Sequence, residues 1–315
     1  MSIRHSGIHR LGYVRLAVRD LDTALDFALD TIGLVPHANG GPDRAMLRCW
    51  HEAQSFTYVL ERGSPGLIEI GFQVRGETDL DAAADRCRAA GAEVTESPAG
   101  DPLPDLGPTI RLQVPDGPAI RLFAHQETPG YVVAGNGGVD WNVPASLRST
   151  QAPLYLTHVG VTSPSPQSVI DFLTGVLDFG ISELMTTDDG SETLSALLFR
   201  TNNGQDIAVY PGTEPRLHHV AFAKEDEIDI LRDATWLRQD GVRFDPYGPT
   251  RQSYGRTFSL HFWDPCGIRY EVCAGGRFSE LHPGFKPVRW TESNLDKALT
   301  FYDSLDNKEF LTPSL

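Results

Sequence analysis

Strand-length apolar runs, each followed by an amphipathic helix, recur four times along the chain. RLGYVRLAVRDLDTALDFALDTIGLVP (10–36) opens as a strand, passes an acidic helix start at Asp20 and Asp22, and then sets Ala24, Phe27, Ala28 and Ile32 at helical spacing. YLTHVGVTSPSPQSVIDFLTGVLDFGISE (155–183) repeats the pattern, with a Ser/Pro cluster opening the helix and Val169, Phe172, Leu173 and Val176 on its inner face. Two more copies begin at LIEIGFQVRGETDLDAAADRCRAAGAEV (67–94) and LHHVAFAKEDEIDILRDATWLRQDGVRF (217–244), and their helices stop at Gly91 and Gly241. Each copy closes in strand-like material such as AIRLFAH (119–125) and SLHFWDP (259–265). The pattern predicts an α+β fold of four βαβββ modules of about 60 residues each, two to a domain.

This reading divides the chain into an N-terminal domain at 1–145, a C-terminal domain at 152–275 and a tail at 276–315. The stretch ETPGYVVAGNGGVDWNVP between the domains is rich in Gly and Pro, as a boundary should be. In the tail, SNLDKALTFYDSL reads as a short amphipathic helix packing back on the domains.

Composition adds exclusions. With 40% hydrophobic and 22% charged residues, the 315-residue chain can bury a sizeable core. A formal net charge of −15 with no Lys/Arg run argues against nucleic acid and anionic membrane as partners, because both require a cationic surface. No apolar run reaches the length of a membrane span, and MSIRHSGIHR lacks the apolar core of a signal peptide. Cys49, Cys87, Cys266 and Cys273 contain no C-x-x-C pair and read as packing thiols of a reduced, cytoplasmic compartment. The Gly-rich HANGGPDR (37–44) and AGNGGVD (134–140) do not join a strand to a helix, so they read as loops rather than phosphate cradles.

The candidate chemistry lies in three apolar strand-like runs. LTHVGV (156–161), LHHVAF (217–222) and IRYEVC (268–273) carry His158, His219 and Glu271. Two imidazoles and one carboxylate are the facial ligand set of non-haem Fe(II) oxygenases, which leaves the opposite face of the metal open. Buried Glu271 between Tyr270 and Val272 would be costly without a cation. Strand alternation sends His218 and His219 to opposite faces, and the repeat register selects His219 as the ligand. His218 is left as a candidate substrate contact. The repeat also supplies an internal control: Tyr13, Glu69 and Arg121 occupy the positions of His158, His219 and Glu271 in the N-terminal modules. Arg cannot ligate a metal. The N-terminal half therefore reads as scaffold and the C-terminal half as the metal module.

This organisation resembles the vicinal oxygen chelate superfamily, and within it the type I extradiol dioxygenases such as catechol 2,3-dioxygenase, over essentially the whole chain. The most specific piece is WDPCGIRYE (263–271), which matches the D-P-x-G-x-x-x-E core of the family signature, and EVCAGG…HPGFKPVRW is similar to the end of the catechol 2,3-dioxygenase branch. The resemblance implies Fe(II) as cofactor with Mn(II) less favoured, O2 as co-substrate, a catechol or related polyhydroxylated aromatic as substrate, and a homo-oligomer, dimer or tetramer.

Around the ligands the chain departs from the family. The family's acid/base His of an H-D-[VI]-A strand falls on Gln205 in GQDIAV, a second His falls on Gln252, and a Tyr ahead of the D-P pair falls on His261. Gln donates a hydrogen bond but shuttles no proton. His261 is accordingly expected to take acid/base or substrate-anchoring work, with Tyr254 and Arg256 also near the pocket. The changes leave open a metal enzyme of the same fold with a non-catecholic substrate or another reaction, or a weakly active binding protein.

Overall fold

The computed structural model describes residues 6–37, 40–130, 152–246, 248–282, 284–299 and 312–315. The predicted linker from 131 onwards, the AGNGGVD loop, part of HANGGPDR and the predicted tail helix beyond residue 299 lie outside the described residues.

The first module runs β1 (Ile8–Val18), α1 (Leu21–Asp26), β2 (Val35–His37), β3 (Arg44–Arg48) and β4 (Tyr58–Arg62). Asp20 caps α1 by accepting a hydrogen bond from the Thr23 amide at 3.1 Å. The predicted helix keeps its inward Phe27, Ala28 and Ile32, but its second half, Phe27–Ile32, winds as a π-helix and stops at Gly33 with φ 85°. The second module runs β5 (Gly66–Val74), α2 (Glu77–Ala89), β6 (Val94–Ser97), β7 (Thr109–Gln113) and β8 (Ala119–Phe123). Both modules share one sheet of order β2-β3-β4-β1-β5-β8-β7-β6.

The third module runs β9 (Leu156–Ser163), α3 (Pro166–Val176), β10 (Gly180–Thr186), β11 (Thr193–Phe199) and β12 (Ile207–Pro211). The fourth runs β13 (Arg216–Ala223), α4 (Glu227–Gln239), β14 (Arg243–Phe244), β15 (Thr250–Arg251), β16 (Thr257–Trp263) and β17 (Arg269–Gly275). Asp226 caps α4 through the Ile228 and Asp229 amides, and Gly91 and Gly241 take the left-handed conformation just past α2 and α4, as the Gly stops predict. The tail adds β18 (Val288–Thr291), which pairs in parallel with β10, and a one-turn helix α5 (Leu295–Leu299). This second sheet has the order β14-β16-β17-β13-β9-β12-β11-β10-β18.

The two sheets are built by one rule. The first strands of paired modules meet antiparallel (β1 with β5, β9 with β13), and each pairs in parallel with the last strand of its own module (β4, β8, β12, β17). The predicted α+β modules are therefore present, with β15 and β18 as additions. One contiguous apolar core spans both halves. At its centre the Tyr58 and Tyr270 hydroxyls lie 2.7 Å apart, and Phe27 stacks on Tyr270 at 5.9 Å. Because side chains alternate along β17, Tyr270 packs on the N-terminal half while Glu271 faces the cup of its own sheet. The N-terminal sheet thus buttresses the strand that carries Glu271.

Candidate metal centre

β9, β13 and β17 are neighbours in the sheet, and Ala221 is paired with both His158 and Glu271. That register aims His158, His219 and Glu271 at one point. The Nε2 of His158 lies 3.0 Å from the Nε2 of His219 and 3.0 Å from Glu271 Oε2, and His219 Nε2 lies 3.2 Å from the same oxygen. All three side chains are buried. Cis ligands about 2.1 Å from a metal stand about 3 Å from one another, so this triangle is the size of an octahedral face. Among the described residues it is the group whose nitrogen and carboxylate donors could hold a metal ion.

The electrostatics suit a cation. Burial pushes the His219 imidazole down to about 3 despite Glu271 beside it, so its ring stays neutral, as a ligand must. Burial acts to raise Glu271, but His261, His158 and His219 outweigh it and hold the carboxyl well below its usual range. An ionised carboxylate beside the neutral His219 ring in a dry cup is what a divalent ion would neutralise.

The partners behind the triad orient it. Thr157 Oγ1 lies 2.8 Å from His158 Nδ1 and 3.2 Å from the Ala221 carbonyl. Nδ1–H donating to Oγ1, and Oγ1–H donating on to the carbonyl, leaves the Nε2 lone pair directed into the site. Gly160 sits opposite His219, and a Cβ there would come within 2.5 Å of the imidazole ring. Sequence reasoning missed both residues. Alternation places Thr157 on the far face from His158, and nothing in a lone glycine announces a neighbouring ring.

The expected alternation of His218 and His219 needs correction. The β9–β13 register shifts between Leu217 and His219, so His218 is the extra residue of a β-bulge. The bulge brings His218 in behind His219, with the two Nδ1 atoms 2.7 Å apart. His218 stacks on Tyr210 at 4.4 Å, its Nε2 is 3.0 Å from Arg269 Nη1, and Arg269 is ion-paired with Asp245. His218 is fully buried there and, like His219, His261 and Glu271, is not among the residues lining the cavity that reaches His158, so its contacts are with His219, Tyr210 and Arg269.

The remaining candidates separate. His261 on β16 is directly cross-strand from Glu271, with Nε2 3.6 Å from Glu271 Oε2 and its ring 5.3 Å from that of His219. Gln205 lines a cavity of about 350 Å³ together with Thr157, His158, Thr257, Cys273 and Arg277. Its Oε1 is buried with no hydrogen-bond partner among the described residues. Gln252 is occupied by Ser259 at 2.9 Å, and Tyr254 is buried in an apolar cluster with its hydroxyl 3.0 Å from Ser195. Arg256, at φ 57°, is exposed and outside the cavity lining, because the tight turn at 253–256 directs it to solvent. Arg277 was missed by sequence reasoning. It lines the cavity only because Gly275 and Gly276, both at positive φ, turn the chain across the mouth.

The N-terminal counterparts also converge. Tyr13 Oη donates to Glu69 Oε1 at 2.9 Å, and Arg121 Nε donates to the same oxygen at 2.9 Å. Gly71 is the shared cross-strand partner of Tyr13 and Arg121, as Ala221 is of His158 and Glu271. A guanidinium occupies the place of a ligand.

Comparison with known proteins agrees with this construction. Residues 155–272 match the family model of the glyoxalase/bleomycin resistance protein/dioxygenase superfamily, and 69–127 match that of the catechol 2,3-dioxygenase-like N-terminal domain. Metapyrocatechase of Pseudomonas sp. (strain CF600) is 30% identical over 97% of this chain and 98% of its own. A manganese-dependent 2,3-dihydroxybiphenyl 1,2-dioxygenase of Geobacillus genomosp. 3 is 27% identical over 94% of both chains. The crystal structure of the 2,3-dioxygenase LapB from Pseudomonas sp. KL28 superposes with a TM-score of 0.82 at 28% identity, covering 92% of this chain and all of that one. The chain belongs to the extradiol dioxygenases, ring-cleaving oxidoreductases of the vicinal oxygen chelate superfamily.

Among the described residues no helix is long and apolar enough to cross a membrane.

Proposed function

We propose that the enzyme uses O2 to open the ring of a catechol or related polyhydroxylated aromatic, at a divalent metal held by His158, His219 and Glu271, with iron as the resident ion and manganese less favoured. The observation that carries this reading is the buried triangle of two imidazoles and one carboxylate, beside a cavity that reaches His158. Such a metal, when bound, would supply an electron-transfer centre between the aromatic diol and O2 on its open face. The family resemblance adds the reading of a cytoplasmic homo-oligomer.

The residues around the triangle divide the remaining work. Gln205 offers an amide to the cavity, where it can donate a hydrogen bond but cannot carry a proton. His261 is the imidazole beside the triad that is neither a ligand nor packed behind one. We assign to it proton transfer or the anchoring of a substrate hydroxyl.

Reconstitution under argon with Fe(II), followed by catechol and air, should give a yellow ring-opened product with stoichiometric O2 uptake. Stoichiometric metal without O2 uptake across a panel of catechols would overturn the reaction while leaving the site. His261→Ala should lower kcat about 100-fold, and wild-type rates in both His261→Ala and His261→Tyr would remove His261 from the chemistry.

A further inference from the structure

We propose that the cavity selects aromatic diols bearing an uncharged apolar substituent, an alkyl chain or a second ring, which Tyr155 and Phe278 grip at the mouth. The proposal rests on the ring-cleaving reading and narrows its substrate class.

Among the described residues, five large apolar side chains are exposed, and Ile228, Leu231 and Trp236 of these lie on α4. The other two, Tyr155 at 39% and Phe278 at 66% exposure, both line the cavity that reaches His158. They come from segments far apart in the chain. Tyr155 leads into β9, three residues before His158, while Phe278 follows the Gly275–Gly276 turn out of β17. Two solvated aromatic faces at one opening are the feature expected of a surface that is covered when a ligand enters. At about 350 Å³ the space lies within the range of pockets that take drug-sized ligands, and it exceeds what one dihydroxylated ring would fill.

Charge decides which substituent fits. Two cationic residues line the cavity, and each is already committed. Arg277 Nε donates at 2.8 Å to Glu183 Oε1, and that carboxylate is fully buried and also receives Trp290 Nε1 at 2.7 Å and the Gly255 amide at 3.0 Å. Lys224 Nζ is 2.7 Å from Asp233 Oδ2. The remaining charged lining residue is Glu225, and the chain carries a net −15. A carboxylated substrate would therefore approach against the field and have to compete with a buried carboxylate for Arg277. An apolar substituent meets Leu154, Tyr155 and Phe278 at no such cost.

The test compares catechol, 4-ethylcatechol and 3,4-dihydroxybenzoate on Fe(II)-loaded enzyme, reading kcat/KM and, under argon, the dissociation constant of each. Wild-type enzyme should favour 4-ethylcatechol over 3,4-dihydroxybenzoate by at least tenfold in both quantities. Phe278→Ala should cut the preference for 4-ethylcatechol over catechol about tenfold, and Phe278→Leu should restore most of it. A wild-type preference for the carboxylated diol, or an unchanged ratio in Phe278→Ala, overturns the proposal. If no diol consumes O2, the ring-cleaving reading fails, and the anaerobic binding ratios still decide the substituent preference.

Discussion

The two halves of the molecule place three side chains at one point by the same strand geometry, and put different chemistry there. In the C-terminal sheet the point is ringed by His158, His219 and Glu271, all donors of electron pairs. In the N-terminal sheet the equivalent Tyr13, Glu69 and Arg121 form a closed hydrogen-bonded cluster, with Arg15 and Arg111 adding charge around the same carboxylate. Each sheet therefore places one buried carboxylate at that point. In one the balancing cation is part of the chain, and in the other it has to be supplied. The surroundings follow suit: Tyr13, Phe56, Phe123, Leu103 and Leu106 fill the N-terminal cup, whereas His158 of the C-terminal triad lines an open cavity. The repeat fixes where a site can be, and residue identity decides whether it becomes a salt bridge or a metal centre.

Loss of Glu271 should separate the halves most sharply. Glu271→Ala is expected to abolish stoichiometric metal binding and lower turnover by at least about 10³-fold, measured by elemental analysis and O2 uptake. Its N-terminal mirror should behave in the opposite way. Arg121→Met leaves buried Glu69 short of its closest cation and should cost about 3 kcal/mol of unfolding free energy while metal content stays stoichiometric. Equal loss of metal in this variant would mean the N-terminal cluster is more than scaffold.

A smaller effect is expected from Thr157→Val, which keeps the shape but removes the acceptor for His158 Nδ1–H. Metal affinity in chelator competition should fall about 10- to 100-fold and return in Thr157→Ser, with apo-protein stability little changed. The smallest effect concerns pH. Burial raises Asp264 to about 6 from an ordinary value of 3.8, so the folded state holds this proton more tightly than the unfolded state. Its stabilising contribution is complete below about pH 4 and is lost as pH rises through 6. Asp264→Asn keeps the acceptor for the Ile268 amide and should remove that slope, worth on the order of 1 kcal/mol in denaturant titrations at pH 4 and pH 7.

Much of this architecture was legible in the chain because hydrophobic period and helix stops are local. The four modules, the Gly91 and Gly241 stops and the strands bearing the triad all follow from spacing that a single segment carries. The triad positions could be paired with Tyr13, Glu69 and Arg121 before any coordinates, since both sets sit at the same place in the repeat. The surroundings of the triad were much less accessible. Arg256 is close in sequence to Gln252 and Tyr254, yet its turn sends it to solvent. Arg277 lies beyond the last strand of its module and reaches the cavity through a two-glycine turn.

The sequence by itself determined the modules, which of them carries donors for a metal, and which one supplies its own guanidinium instead. These depend on residue type and on a period of two or 3.6, which neighbours along the chain define. Tertiary structure alone decided that His218 swings in behind His219, that Thr157 ties His158, that Gly160 must lack a side chain, and that Tyr155 and Phe278 line one cavity. Each of those depends on the register between strands or on a bulge in it. Register is a property of two segments brought together, and no single run of sequence contains it.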